Sequence, residues 1–179
     1  MIDSIHQDHK NIMKLLQVLS NKADLLKEDN KIDYQLVKSI IVYLKSYSDK
    51  YHHPMEDLIY AYYLKYRVVS DLVANRLSDE HKELKVITRE LDDLVDMVLL
   101  DAIVPQDLFI EKLELFVTRQ KQHLNYEEQE ILPAIKASLT PDDWESLNHQ
   151  WKHHEYVDPL FGDKISEKFK ALAETINQA

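Results

Sequence analysis

The 179-residue chain contains no cysteine and a single glycine. Without cysteine the chain itself cannot supply disulfides, thiolate nucleophiles, zinc-thiolate sites or ligands for iron–sulfur clusters. Any metal it binds must therefore use nitrogen and oxygen ligands. The lone Gly162 excludes glycine-rich phosphate loops, dinucleotide fingerprints and the glycine turns of hairpin-rich β proteins. The composition indicates helices.

Positive charge is also scarce, with 22 Lys and Arg against 32 Asp and Glu and a net charge of −10. This charge repels nucleic acid and anionic membrane surfaces, so we expect neither as a partner. No apolar run approaches membrane-spanning length, and the start Met1-Ile2-Asp3-Ser4 lacks the basic and apolar regions of a signal peptide. We therefore expect a cytoplasmic protein.

Apolar residues recur at three- and four-residue spacing almost throughout, which predicts an all-α protein. The predicted bundle helices run from Ser4 to Lys27, with a Ser4–Gln7 capping box, and onward from Asp33, Ser70 and Pro105. We predict an up-down-up-down four-helix bundle over residues 1–137. Additional C-terminal helices over residues 138–179, the first capped at Thr140, should pack on the same domain or form a homodimer surface.

Each predicted bundle helix carries one histidine in its apolar stripe: His9, His52, His81 and His123. In an up-down bundle, residues equidistant from a turn lie at the same depth. The midpoints between consecutive histidines fall in the predicted turns, at Asn30-Lys31, Tyr66-Arg67 and Ala102. The four histidines are therefore expected in one layer of the core.

Two of these histidines begin the pattern His-x-x-x-Glu, which places Glu56 and Glu127 on the same inward helix faces. Buried carboxylates need a compensating positive charge, and no Lys or Arg recurs in the core stripes near this layer. We predict a binuclear metal centre, with iron preferred and manganese or zinc as substitutes. Its predicted ligands are His9, His52, Glu56, His81, His123 and Glu127.

The same residues resemble the hemerythrin-like HHE cation-binding domain family. The matching segments are Asp8-His9, His52-His53-Pro54-Met55-Glu56-Asp57, Glu80-His81, and His123 through Glu127-Glu128 to Ile131-Leu132-Pro133. Trp144 and the segment 158–162 resemble the C-terminal extension of bacterial members. The resemblance implies two irons, joined by an oxo or hydroxo bridge, with the four histidines as terminal ligands and the two glutamates as bridges.

The chain departs from the oxygen-carrying hemerythrins at two positions. Those proteins carry a second histidine in helix three, where this sequence has Lys85. They also place an aspartate five residues after the helix-four histidine, where this chain has Glu127 at four and Glu128 at five. We favour Glu127 as the bridge, because its spacing matches that of Glu56. Water, a tyrosine, His6 or His53 would complete the coordination.

By resemblance, the function we favour is binding or sensing of O2 or NO at the iron pair. One alternative is a di-iron enzyme of oxidative or nitrosative stress that turns over peroxide or NO. Iron storage or donation is weaker, since relatives with that role carry a cysteine-bearing N-terminal domain. The last alternative is a helical interaction module whose polar layer is structural.

Two further groups of residues are candidates for a function. His149, His153 and His154 could form a surface metal site, but an amphipathic helix with solvated histidines is favoured. Tyr60 and its neighbours Tyr62, Tyr63 and Tyr66 are expected to pack at helix crossings with their hydroxyls reaching water.

Overall fold

A computed structural model of the chain describes residues 1–67, 71–153 and 156–178. These residues form helices and connecting loops without a β-strand, which confirms the all-α prediction. None of the described helices is both long and apolar enough to cross a membrane. The helices are α1 (Ile2–Lys27), α2 (Tyr34–Tyr47), α3 (His53–Arg67), α4 (Asp71–Leu99), α5 (Gln106–Tyr126), α6 (Leu132–Ser138), α7 (Pro141–Gln150) and α8 (Lys170–Gln178).

Four helical rods form the bundle: α1, α2 continued by α3, α4, and α5 continued by α6. The loops after α1 and α4 each turn at an aspartate with positive φ, Asp29 and Asp101. Backbone hydrogen bonds from the residues that follow these aspartates close the two helix ends. Two of the predicted turns therefore lie in loops, whereas Tyr66-Arg67 ends α3. The predicted start of the third helix, Ser70, lies outside the described residues.

The structure confirms one predicted helix start and corrects another. The prediction for α2 is confirmed, since the Asp33 carboxylate accepts hydrogen bonds from the next helical N–H groups, those of Gln35 and Leu36. The prediction for α1 is wrong, because this helix begins at Ile2 with Met1 as N-cap. The Met1 carbonyl accepts from the Ser4 and Ile5 N–H groups, so Ser4 already lies in the first turn.

Two prolines follow π-helical turns, Ser48–His52 before Pro54 and Glu127–Ile131 before Pro133. A proline inside an α-helix lacks an N–H group, and its ring clashes with the carbonyl four residues earlier. In both rods that carbonyl lies inside the π-helical turn, where the wider backbone makes room for it. Each rod therefore continues as an α-helix past its proline.

The core is divided into two apolar clusters. One cluster includes Leu16, Leu91 and Phe116 and fills the half of the bundle that contains the α1–α2 loop. The other includes Ile59 and Ile135 and fills the opposite half. Along the rods, the four stripe histidines lie between residues of the two clusters. The fold thus presents one polar layer between two apolar ones.

The C-terminal extension packs on the bundle. Thr140 and Asp143 form the capping box of α7, which confirms the predicted cap at Thr140. Asp143 also accepts hydrogen bonds from Tyr62 and Arg67 of α3, and the hydrogen bond from Arg67 does most to hold the pKa of this carboxyl well below its usual range. Phe169 and the buried face of α8 join the larger apolar cluster. Gly162 is required in the connecting loop, because a Cβ atom there would lie 2.5 Å from the Asp158 carbonyl oxygen.

A partly buried cluster of one carboxylate and two lysines joins α2 to α4 and allows a prediction. The Asp92 carboxylate lies 2.7 Å from Lys38 Nζ and 2.9 Å from Lys45 Nζ. Burial would raise the pKa of Asp92, but the hydrogen bonds and charges of the lysines outweigh burial and lower it. Its contribution to stability is therefore complete above the unfolded pKa of about 3.9 and is lost as pH falls through the folded pKa.

We expect Asp92→Asn to lower the free energy of unfolding by about 1–2 kcal/mol at pH 7, and the loss to shrink below about pH 4. Urea unfolding of both proteins from pH 3 to pH 7 measures this. Asp96→Asn is the control, since Asp96 also pairs with Lys38 but its side chain is half exposed. An equal loss in the two variants, or a loss independent of pH, would contradict the assignment.

Candidate metal centre

The six residues selected from the sequence meet in the polar layer. His9 comes from α1, His52 from the first π-helical turn, His81 from α4 and His123 from α5. Glu56 follows His52 by four residues, and Glu127 follows His123 by the same distance. All six residues are buried, with at most 5% of their surface exposed. The structure therefore brings the predicted ligand set together from all four rods.

The two glutamates lie in the middle of the layer, and the Nε2 atoms of the four histidines surround them. Glu56 Oε1 lies 3.0 Å from His9 Nε2 and 3.2 Å from His52 Nε2. Glu127 Oε2 lies 3.4 Å from both His9 Nε2 and His123 Nε2. His81 Nε2 faces both carboxylates, at 3.6 Å from Glu56 and 3.8 Å from Glu127. Each glutamate thus contacts imidazoles from three rods.

The ligand atoms form two groups compact enough to hold a metal ion each, and both groups use Glu56. The first group is His9, His52 and Glu56. The second is His53, Glu56, His81 and His123. Glu127 contacts histidines of both groups. The layer therefore offers two compact ligand groups that share Glu56, and Glu127 contacts both of them.

His53 supplies a fifth imidazole, a role that the sequence left open. Its ring stacks on His81 with 4.2 Å between ring centroids, and its Nδ1 is buried without a hydrogen-bond partner in the described structure. Burial, reinforced by the charge of His81, lowers the pKa of His53 well below its usual value. A buried neutral imidazole is the form that binds metal. Lys85, by contrast, points to solvent and lies 3.5 Å from Asp49.

The structure separates the roles of Glu127 and Glu128. Glu127 is buried at the centre of the layer, whereas the Glu128 side chain is 34% exposed and lies outside it. Glu128 contacts His6 Nδ1 at 2.8 Å and His9 Nδ1 at 2.7 Å. His6 therefore lies beyond Glu128 and belongs to neither compact group.

Four carboxylates surround the layer from outside, and each contacts the Nδ1 atom of a different imidazole. The pairs are Asp8 with His52 at 3.3 Å, Asp57 with His81 at 3.2 Å, Glu80 with His123 at 3.0 Å, and Glu128 with His9 at 2.7 Å. Such contacts fix the orientation of a metal-binding imidazole and leave Nε2 directed at the metal. These four contacts were not predicted from the sequence, although each of the four carboxylates is a sequence neighbour of a predicted ligand.

The charges of the layer affect its titration. Burial alone would lower the pKa of His9, but the hydrogen bond and charge of Glu56 outweigh it and raise the pKa to about 9. In the same way, contacts with Asp57 and Glu127 outweigh burial and raise the pKa of His81 to about 10. Burial would raise the pKa of Glu56, but the surrounding imidazoles hold it well below its usual range. The glutamates thus attract positive charge strongly.

Several inward atoms of the layer lack a hydrogen-bond partner in the described structure. They are His52 Nε2, His53 Nδ1, His81 Nε2, His123 Nε2, Glu56 Oε2 and both carboxylate oxygens of Glu127. A buried polar atom left unsatisfied costs about 1–3 kcal/mol, so seven in one layer call for a common partner. Cations satisfy nitrogen and carboxylate oxygen at once, and this donor set suits iron, manganese or zinc. The residues fit a pair of metal ions.

The remaining candidate residues, Tyr60 and the described histidines of the C-terminal extension, are not among the ligand residues of the two compact groups. Tyr60 is buried and its hydroxyl has no partner in the described structure, so the prediction that this hydroxyl reaches water is wrong. Burial and then the negative charge of Glu127 raise the pKa of Tyr60. His149 is exposed and lies 3.9 Å from Glu145, and the His153 ring packs on Trp151. His154 lies outside the described residues.

Substituting Glu127 or Glu128 distinguishes a central ligand from an outer partner. Loss of a carboxylate that contacts a ligand from outside costs roughly 10–100-fold in metal affinity. Because Glu127 is central, we expect Glu127→Gln to lower metal affinity by more than about 100-fold. Glu128→Gln should retain the wild-type number of metals per chain. Titration of the metal-free proteins with iron(II) under anaerobic conditions measures both. The assignment would be reversed if Glu128→Gln lost the metal and Glu127→Gln kept it.

A second pair of variants tests the fifth imidazole. His53→Ala should weaken binding of one of the two metals by at least about tenfold, because it removes a nitrogen from one compact group. His6→Ala is the matched control, since His6 contacts Glu128 outside the layer. Metal analysis after dialysis against a weak chelator gives the comparison. Full retention of two metals by His53→Ala would show that this histidine is a packing residue.

Comparison with known proteins agrees with the site. A family model described as the hemerythrin HHE cation binding domain matches residues 1–135, which include all the predicted ligands and the outer carboxylates. No curated protein matches the chain. The match covers most of the sequence, so the expected resemblance is confirmed, together with its coarse function of cation binding. The chain belongs to the hemerythrin HHE cation-binding domain family.

Proposed function

We propose that this protein holds a non-haem pair of irons and that it binds or senses O2 or NO at that pair. The observation that carries the proposal is the sharing of Glu56 by two compact ligand groups, with Glu127 in contact with imidazoles of both. A carboxylate has two oxygens and can join two ions, so shared glutamates favour a binuclear centre over two separate sites.

The two groups differ in their number of imidazoles. One contains His9 and His52, whereas the other contains His53, His81 and His123. With both glutamates shared, the ion in the first group has fewer protein ligands. An iron pair would supply there an open coordination position that takes up a small ligand and allows a change of oxidation state. Manganese and zinc accept the same ligand types but are the second choice.

The surrounding residues suit a small ligand. Ile59 and Ile135 belong to the apolar cluster on one side of the layer and exclude water from it. Tyr60 lies one helical turn beyond Glu56 on the same face and offers a buried hydroxyl that is free to donate a hydrogen bond. Apolar surroundings with one hydrogen-bond donor suit a small ligand such as O2 or NO.

Turnover of peroxide or NO is the second candidate function, and one observation favours it. A cleft of about 600 Å3 opens beside the layer and is lined by His6, His9, Met13 and Glu128. The cleft gives a polar solute such as peroxide a route from solvent to His9, which is part of the layer. Turnover needs such a route for substrate to enter and product to leave. In that case the protein would consume its ligand.

The first experiment is metal analysis with absorption spectroscopy of protein expressed with added iron. We expect about two irons per chain. Additions of O2 or NO to the reduced protein under anaerobic conditions should change the spectrum, and removal of the gas should restore it. Steady disappearance of NO or peroxide, followed with an electrode, would favour the enzyme.

A double variant, His52→Leu with Glu56→Leu, is the matched control. It removes ligands from both groups and should remain helical without binding iron. If the wild-type protein also contains no stoichiometric metal and the double variant is equally stable, the polar layer is structural. The protein would then be a helical interaction module. Zinc or manganese at two ions per chain would retain the binuclear centre but exclude the gas-binding proposal.

A further inference from the structure

The four outer carboxylates form a closed ring around the layer. Asp8 of α1 contacts the histidine of the second rod, and Asp57 of that rod contacts the histidine of α4. Glu80 of α4 contacts the histidine of the last rod, and Glu128 of that rod contacts the histidine of α1. In every rod, therefore, one carboxylate contacts the histidine of the next rod, and one histidine is contacted by a carboxylate of the previous rod. Among the imidazoles of the two compact groups, His53 is the one that none of these four carboxylates contacts.

The ring adds a large negative charge to the centre. Together with Glu56 and Glu127, the four carboxylates bring the formal charge around the two ions to −6. Two divalent ions would neutralise four of these charges, whereas two trivalent ions would neutralise all six. Arg76, 2.8 Å from Glu80, is the basic side chain paired with the ring among the described residues. Tyr47 donates to Asp8, and His6 contacts Glu128.

We propose that this ring sets the oxidation state of the centre by stabilising the trivalent iron pair over the divalent pair. The inference rests on the proposed iron centre but not on its gas ligand. The carboxylates act through the imidazoles, so they are positioning residues with an electrostatic role. A negative charge at Nδ1 makes the imidazole a stronger donor at Nε2, and this favours the more highly charged metal.

The ring members differ in exposure, and this predicts an order of effects. The side chain of Asp8 is 8% exposed, that of Glu80 is 24% exposed and that of Asp57 is 64% exposed. Charges act more strongly at low dielectric and are screened by solvent at the surface. Neutralising Asp8 should therefore have the largest effect and neutralising Asp57 the smallest.

Reduction potentials of the iron-loaded protein test the proposal. Glu80→Gln keeps a side-chain oxygen that accepts from His123 but removes the charge. We expect it to lower the ratio of oxidised to reduced protein at a fixed potential about tenfold, which equals a rise of about 30 mV in the midpoint potential of the two-electron couple between the trivalent and divalent pairs. Asp8→Asn should raise the potential further and Asp57→Asn less. Iron analysis of each variant confirms that the metals remain bound.

Glu83→Gln is the control, because Glu83 lies on the same helix and lines the same cleft as Glu80 but pairs with Arg119. It should leave the potential at the wild-type value. The proposal is overturned if Glu80→Gln matches the wild-type potential while Glu80→Ala does not, since the ring then only orients the imidazoles. It is also overturned if Glu83→Gln shifts the potential equally. Failure to bind O2 or NO would affect the proposed function and leave these potentials unchanged.

Discussion

The cost of burying charge in an apolar core is the constraint on which the rest of this structure depends. Glu56 and Glu127 are almost completely removed from water, and no lysine or arginine reaches their carboxylates among the described residues. Two buried anions without compensation would cost several kcal/mol each. In the described structure the compensation comes from imidazoles, which are drawn toward the positively charged form. Metal ions compensate better, because they satisfy the glutamates and the free nitrogens together.

The fold provides what this polar layer needs. The layer lies between two apolar clusters, so the rods are held together above and below it independently of the site. The two His-x-x-x-Glu pairs also lie beside the two π-helical turns, one ending at His52 and the other beginning at Glu127. A π-helical turn costs hydrogen-bond geometry, and such turns are frequent at functional sites. The irregular backbone thus lies at the residues whose side chains enter the polar layer, whereas the helices around the larger apolar cluster are regular.

The sequence predicted the bundle and the meeting of six ligand residues because both follow from helical period and depth. It could not decide whether His6 or His53 is the better candidate for a further ligand. His53 adjoins the predicted ligand His52, and His6 lies one helical turn before the predicted ligand His9. Their difference arises in three dimensions, where His53 stacks on His81 and His6 reaches outward to Glu128. The buried hydroxyl of Tyr60 was missed for a related reason. Helical spacing assigns a face, but the packing of neighbouring rods decides whether water reaches it.

The carboxylate ring follows from helix geometry once its sequence pattern is recognised. Neighbouring residues on an α-helix differ by about 100°, so a residue beside a central ligand faces the adjacent rod. The carboxylate precedes the ligand in α1 and α4, at Asp8 and Glu80, and follows it in the two antiparallel rods, at Asp57 and Glu128. In an antiparallel rod the chain direction is reversed, and in these two rods the order of carboxylate and ligand is reversed as well. The two reversals cancel, so the turn from ligand to carboxylate has the same sense in all four rods when viewed along the bundle axis. All four carboxylates therefore turn the same way and reach the next rod, which closes the ring. A single carboxylate on the other side of its ligand would face the previous rod and leave one histidine unpaired.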